Sequence, residues 1–314
     1  MKLNKIIIII PLLLSILYAD NFDEAVKMYE KKEYKKAYEI FSKLANEDNP
    51  KAQFNLAQMY QNGDGVEKNY FQSFYWLEKA SKSKDPRVLN NLAYYYERGL
   101  GTNKNKKLAM QLYEESAKKD YFVAQFNLAM LYENFNFNKE YLTKAFELYK
   151  KSAKKGFIPA QNNLARLYYF GIGVEKDLEK AFYWYEKASE VDKDVAAFNL
   201  ALMYYNGEGT KRDYDKTLYW LNISAKNGNI YAQTQLADFY RSGKVLTQNY
   251  EEAFFWYFEA AASDYGKAQY YVGLFYYEGY GVEQDKEKGL FWMNKSRDNN
   301  YVFAKTFFER LKKQ

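Results

Sequence analysis

Apolar positions in this chain repeat every 36 residues. With Ala52 taken as position one, that position reads Ala52, Val88, Ala124, Ala160, Ala196, Ala232, Ala268 and then Ala304. Position five reads Leu56, Leu92, Leu128, Leu164, Leu200, Leu236 and Val272, and position nine is Tyr in all seven copies, from Tyr60 to Tyr276. The five tryptophans, Trp76, Trp184, Trp220, Trp256 and Trp292, all occupy position 25; Leu112 and Leu148 stand there in the second and third copies. Seven copies run through 52–303 without an insertion. An internal period of this length marks a repeat architecture.

Within each copy the spacing predicts two helices. Positions one, five, six and nine (Ala160, Leu164, Ala165 and Tyr168, for example) form one face of the first. It stops at Gly-x-Gly, as in Gly171–Gly173 or Gly279–Gly281, where the first glycine suits a left-handed cap and the second a tight turn. Asn or Asp at position 18 (Asn69, Asn105, Asp177, Asp213, Asn249, Asp285) then stands where a helix N-cap belongs. The second helix puts Ala181, Trp184 and Ala188 on one face. It is expected to end in a left-handed residue at Gly156, Gly228, Asn300, Asp120, Asp192 or Asp264. Tyr at position nine and Trp at position 25 share the Ala/Leu face and are expected in the core.

The pattern A-x3-L-A-x2-Y-x2-G-x-G-V-x2-D-x3-A-x2-W-Y-x2-A, nearly whole in Ala160–Ala188, closely resembles the Sel-1-like repeat, a relative of the tetratricopeptide repeat. The resemblance implies an all-α fold, a right-handed α-solenoid of stacked antiparallel helix pairs whose first helices line a concave face. Residues 20–51 read as a shorter tetratricopeptide-like helix pair without the glycine loop, and 304–314 as a C-terminal capping helix. Three departures stand out. Position six is Ala where the family has Gly, except at Gly273. Copy three has Phe135-Asn136-Phe137 in place of Gly-x-Gly, which predicts a different loop path or an exposed aromatic contact. Copy six has Val245 at the second glycine.

The chain starts with Lys2, Lys5 and an apolar run from Ile6 to Leu17 that Ser15 alone interrupts with a polar side chain. Thirteen residues from Ile6 to Tyr18 fall short of the roughly 20 that span a bilayer, so 1–19 is expected to be a signal peptide cut after Ala19. The mature protein would then be periplasmic or secreted, with no membrane span. Cys and His are both absent. That excludes disulfides, a Cys nucleophile, a His base, zinc fingers and His-ligated haem, and no metal or cofactor is expected. Net charge is +6, too mild to require nucleic acid as partner. Only four prolines with 34 Tyr, 23 Phe and 5 Trp point to helices packed through rings.

Positions three, four, seven, ten and eleven lie opposite the apolar face and are candidates for a free groove. Position four reads Asn55, Asn91, Asn127, Asn163, Asn199, then Gln235 and Tyr271, a ladder of carboxamides that can donate to and accept from an extended backbone. Position three interleaves Phe54, Phe126 and Phe198; Arg166 stands at position seven. In the resembled tetratricopeptide fold this surface commonly binds peptides. The expected ligand is therefore a protein or peptide of the cell envelope, held by Phe54, Asn55, Asn91, Phe126, Asn127, Asn163, Arg166, Phe198 and Asn199. The alternative is that these Asn bond neighbouring helices and the Phe pack between copies. A homotypic assembly through the Phe135/Phe137 loop is a further reading.

The resemblance raises one enzymatic alternative, since cysteine-rich Sel-1-like proteins are associated with β-lactamase or penicillin-binding activity. Those pair two cysteines per repeat, which this chain lacks. Ser-x-x-Lys occurs at Ser81–Lys84, Ser116–Lys119 and Ser152–Lys155, without the Ser-Asp-Asn and Lys-Thr-Gly that accompany it in serine β-lactamases; Lys305-Thr306-Phe307 lacks the glycine. The Gly-x-Gly loops join helix to helix, whereas dinucleotide-binding loops follow a strand. A non-catalytic scaffold is the expectation.

Overall fold

The computed structural model describes residues 21–135 and 138–311. They form seventeen helices and no strand, in two compact units divided between Lys155 and Gly156. The first unit holds α1 (21–30), α2 (Tyr34–Asn46), α3 (Pro50–Asn62), α4 (Tyr70–Ser81), α5 (Pro86–Arg98), α6 (Lys106–Lys118), α7 (Phe122–Phe135) and α8 (Lys139–Lys154). The second holds α9 (Ile158–Phe170), α10 (Leu178–Ser189), α11 (Val195–Asn206), α12 (Tyr214–Lys226), α13 (Ile230–Ser242), α14 (Tyr250–Ala261), α15 (Gly266–Glu278), α16 (Lys286–Asp298) and α17 (Val302–Leu311). From α2 on, each helix in a unit packs on the next, so the fold is an all-α helical repeat solenoid. Among the described residues no helix is long and apolar enough to cross a membrane. The 1–19 segment lies outside the described residues.

Local chemistry sets the hairpin. The first helix stops where Gly63, Gly99, Gly171, Gly207, Gly243 and Gly279 take a left-handed φ of 69–86°. Across the loop, the amide of each Asn or Asp at position 18 donates to the position-nine carbonyl, as Asn69 does to Tyr60 at 2.8 Å and Asp285 to Tyr276 at 2.8 Å. The same Asn and Asp side chains cap the second helix: Asn69 accepts from the amides of Phe71 and Gln72, Asp177 from that of Lys180. The second glycine answers to more than a turn. A Cβ on Gly209 would lie 2.0 Å from the Leu178 carbonyl oxygen, and one on Gly101 2.2 Å from that of Tyr70. Position 14 is thus where one hairpin touches the backbone of the hairpin before it. Val245 avoids the contact by leaving the left-handed region, and packs against the core of the second unit.

The second helices end in a left-handed residue at Asp120, Gly156, Gly228, Asp264 and Asn300, and also at Lys84. Asp192 departs from that expectation. Its carboxylate accepts from the amides of Asp194 and Val195, so it acts as a cap for α11 instead. In copy three, where Gly-x-Gly is missing, α7 runs to Phe135 and α8 begins three positions early, capped by Asn138 accepting from the Glu140 amide. Residues 136 and 137 and the Phe135 side chain lie outside the described residues. Copy seven closes more tightly than the others: Gly273 and Gly289 face each other, and a Cβ on either would meet the other's carbonyl oxygen at 2.8–2.9 Å.

The core is centred one position away from the expected rings. Position eight (Met59, Tyr95, Leu131, Leu167, Met203, Phe239, Phe275) and position 26 (Leu77, Tyr113, Tyr149, Tyr185, Leu221, Tyr257, Met293) are at most 5% exposed. The tyrosines at position nine and tryptophans at position 25 are buried in some copies and half-buried in others; Trp184, Trp220 and Trp292 keep a flank in solvent. The reason lies in their place at the edge of the helix face, where a lysine covers the open flank. Lys79 lies 5.3 Å from the Trp76 ring, Lys187 5.7 Å from Trp184 and Lys295 5.1 Å from Trp292, an amphipathic stem on an aromatic face.

Candidate functional site

Helices α3 and α5 place three of the expected groove residues around one opening. Phe54, Asn55 and Asn91 line a groove of about 790 Å³ in the first unit, together with Gln58, Lys51 and Arg87. Lys51 and Arg87 occupy position 36, one turn before position four on the same helix, so they share its face. Arg87 is fixed from both sides. It donates to Asp85 at 3.1 Å through Nε and 2.7 Å through Nη2, and it lies 5.9 Å from the Phe54 ring. Those bonds from Arg87 hold the Asp85 carboxyl below the ordinary carboxylate range despite partial burial. Tyr121, on the same wall, is pushed up mainly by burial.

Position three is less free than its phase implied. Phe54 is 9% exposed and Asn90 6%, because the residue points between neighbouring hairpins and only its edge reaches the groove. Asn90 accepts from the Asn127 Nδ2 at 2.9 Å, and Asn91 donates to the Arg87 carbonyl at 2.9 Å. Two rungs of the carboxamide ladder are therefore spent inside the protein. Asn55, half-buried, has no hydrogen-bond partner among the described residues. Phe126 meets Tyr149 edge-on at 5.7 Å. The structure does not bring Phe126 or Asn127 to the 790 Å³ groove.

In the second unit Asn163, Arg166, Phe198 and Asn199 are half-buried on α9 and α11, and the Phe198 ring lies 6.1 Å from Tyr231. Further along, the equivalent face carries a cluster in which two cations share one carboxylate. Asp238 accepts from the Tyr257 hydroxyl at 2.5 Å and from Lys267 at 2.6 Å, while Arg241 Nε donates to Tyr257 at 3.0 Å and stacks 4.8 Å from Tyr271. Burial first, and Asp238 second, push the Tyr257 hydroxyl far up.

Sequence reasoning missed a second carboxamide series. Position two holds Gln53, Gln125, Gln161, Gln233 and Gln269, all buried. Where the preceding loop has a left-handed Asp, the Gln Nε2 donates to it: Gln125 to Asp120 at 3.0 Å, Gln269 to Asp264 at 3.1 Å. Where it has Gly228, Gln233 donates to the Ala225 carbonyl instead. The signal was legible, since Gln recurs beside the apolar position one.

The Ser-x-x-Lys serines are held as structural latches. Ser116 and Ser152 are fully buried and donate to the carbonyls of Pro86 at 2.6 Å and Phe122 at 2.8 Å, in the first turn of the same hairpin. Ser224 and Ser296 repeat the bond to Asp194 and Gly266. Ser81 donates to the Glu78 carbonyl of its own helix.

The Sel1 repeat profile matches residues 50–85, 86–121, 123–134, 142–157, 158–192, 194–229, 230–265 and 266–301; the interruption between 134 and 142 falls where copy three lacks Gly-x-Gly. No curated protein sequence matches. Among solved structures, the chain is similar to c5321, a protective antigen present in uropathogenic Escherichia coli strains and displaying an SLR fold, with a TM-score of 0.77 and 26% identity over 91% of this chain and 62% of that one. It is also similar to a Sel1 repeat protein from Oxalobacter formigenes, with a TM-score of 0.76 and 26% identity over 94% of this chain and 87% of that one.

Proposed function

The chain belongs to the Sel1 repeat family, and from that premise we propose that it is a non-catalytic scaffold that binds an extended segment of an envelope protein. The segment lies in the first-unit groove, after export and removal of residues 1–19. The observation that carries this reading is the groove itself: Asn55 offers an uncommitted carboxamide beside the Phe54 edge and the Gln58 side chain, in a space large enough for several residues of peptide. Arg87 is already paired with Asp85, so recognition rests on shape and carboxamide bonding rather than charge. Burial of Ser116 and Ser152, in two of the three Ser-x-x-Lys occurrences, weighs against the acyl-transfer alternative.

The test is affinity capture from envelope extract with the mature protein and with the triple variant Asn55→Ala/Gln58→Ala/Asn91→Ala. The variant is expected to keep its helicity and to lose the captured species. Equal capture by both would place the ligand elsewhere. Raising salt from low to physiological strength and beyond should change affinity by less than about threefold, because screened charge contributes little.

A further inference from the structure

The third copy breaks the tryptophan series in a way that leaves room. In the first unit a cavity of about 400 Å³ opens between α6 and α8 above α7, walled by Ala117, Leu128, Leu148 and the Tyr132 ring, a size common for small-ligand sites. Leu148 is position 25, where five copies carry Trp. Trp292 on α16 shows where such a ring goes: it reaches back to α14, the second helix of the preceding copy, and meets Phe258, at position 27, at 5.7 Å. Glu114 holds position 27 in copy two and lines this cavity.

One further feature of an indole seat is in place without the indole. Lysine at position 28 covers the tryptophan in three copies; Lys151 is that residue here, and it lines the cavity. Gln125, 2% exposed, also lines it. Its Nε2 is committed to Asp120, while its buried Oε1 has no partner among the described residues. The Oε1 of Gln233 is likewise unpartnered although Trp256 stands in the same copy, so this acceptor does not serve the ring, and the space left by the smaller Leu148 is what sets copy three apart. Copy two also has leucine at position 25, but there position 28 is Glu115, and Leu112 packs against the first-unit core.

We propose that this cavity binds an indole ring, occupying the place that the chain's own tryptophan fills elsewhere. The apolar walls take the ring faces and Lys151 covers the open flank. The ring can come from a free indole compound or from a tryptophan side chain of another polypeptide.

Fluorine NMR on 5-fluoroindole, titrated with the full chain, tests this directly. Line broadening and a saturable shift are expected, and competition by N-acetyltryptophanamide and by a tryptophan-bearing peptide tells the two sources apart: both compete if the seat takes side chains, neither if it admits free indole alone. Leu148→Trp restores the missing ring. It should weaken fluoroindole binding by at least about tenfold while raising the melting temperature by about 2 °C, as cavity-filling changes do. A fluoroindole line unmoved by the wild type, an equal shift with Leu148→Trp, or a lowered melting temperature in that variant would each overturn the proposal.

Discussion

Tyr257 loses all of its surface on packing, whereas Trp184 keeps one flank in solvent under Lys187. Truncation should separate them. Tyr257→Ala is expected to cost about 3–5 kcal/mol, as large aromatic deletions in cores do, and Trp184→Ala about 2 kcal/mol, measured by urea unfolding. Backbone contact gives a second prediction at this scale. Gly209 combines a φ of 69° with a Cβ position occupied by the Leu178 carbonyl, so Gly209→Ala should destabilise by at least about 2 kcal/mol. Val245→Gly, which gives up a half-buried side chain and adds backbone freedom without any backbone clash, should cost about 1–2 kcal/mol. Asp85 titrates in a direction that can be followed. Its carboxyl is held low by Arg87, so its contribution is present above the ordinary carboxylate pKa and is lost as pH falls through its depressed value. Amide exchange at the start of α5 should therefore rise only below about pH 4.

The hairpin was the most legible level. Period, cap residues and loop glycines specified where each helix begins and ends, because capping and left-handed backbone depend on the local residue type alone. Asp177→Ala should accordingly cost about 1 kcal/mol, read from the melting curve. What the sequence concealed was the rotation of each helix about its axis. Positions eight and nine are both aromatic or large in most copies, as are 25 and 26, and periodicity cannot tell which of two adjacent rings is enclosed when lysines shield the other. The same ambiguity hid half of the candidate site: Asn55 and Asn91 were found by their recurrence, but Asn127 turned out to be spent on Asn90, and position 36 was overlooked because it precedes the first counted residue. Contacts between copies, such as Gly209 on Leu178, leave no trace in a single repeat.

Across the whole molecule the tyrosines form a shared alkaline liability. Burial pushes Tyr95 and Tyr185 up to about 12, and Tyr113, Tyr132 and Tyr257 higher still. A raised folded pKa means stability that is intact below the ordinary tyrosine value near 10 and is lost as pH climbs through the folded values. Thermal melting should hold steady to about pH 10 and fall steeply above it, and Tyr113→Phe should lessen that fall.

Ser116, Ser152, Ser224 and Ser296 each fasten the two arms of their own hairpin, while the position-14 glycines mediate between one hairpin and the next. Closure and stacking are thus separately encoded. A gene lacking one 36-residue period, such as codons 197–232, would splice matching surfaces together and yield a shorter member of the same series. Cutting 34 residues instead would set every latch and every abutment out of phase.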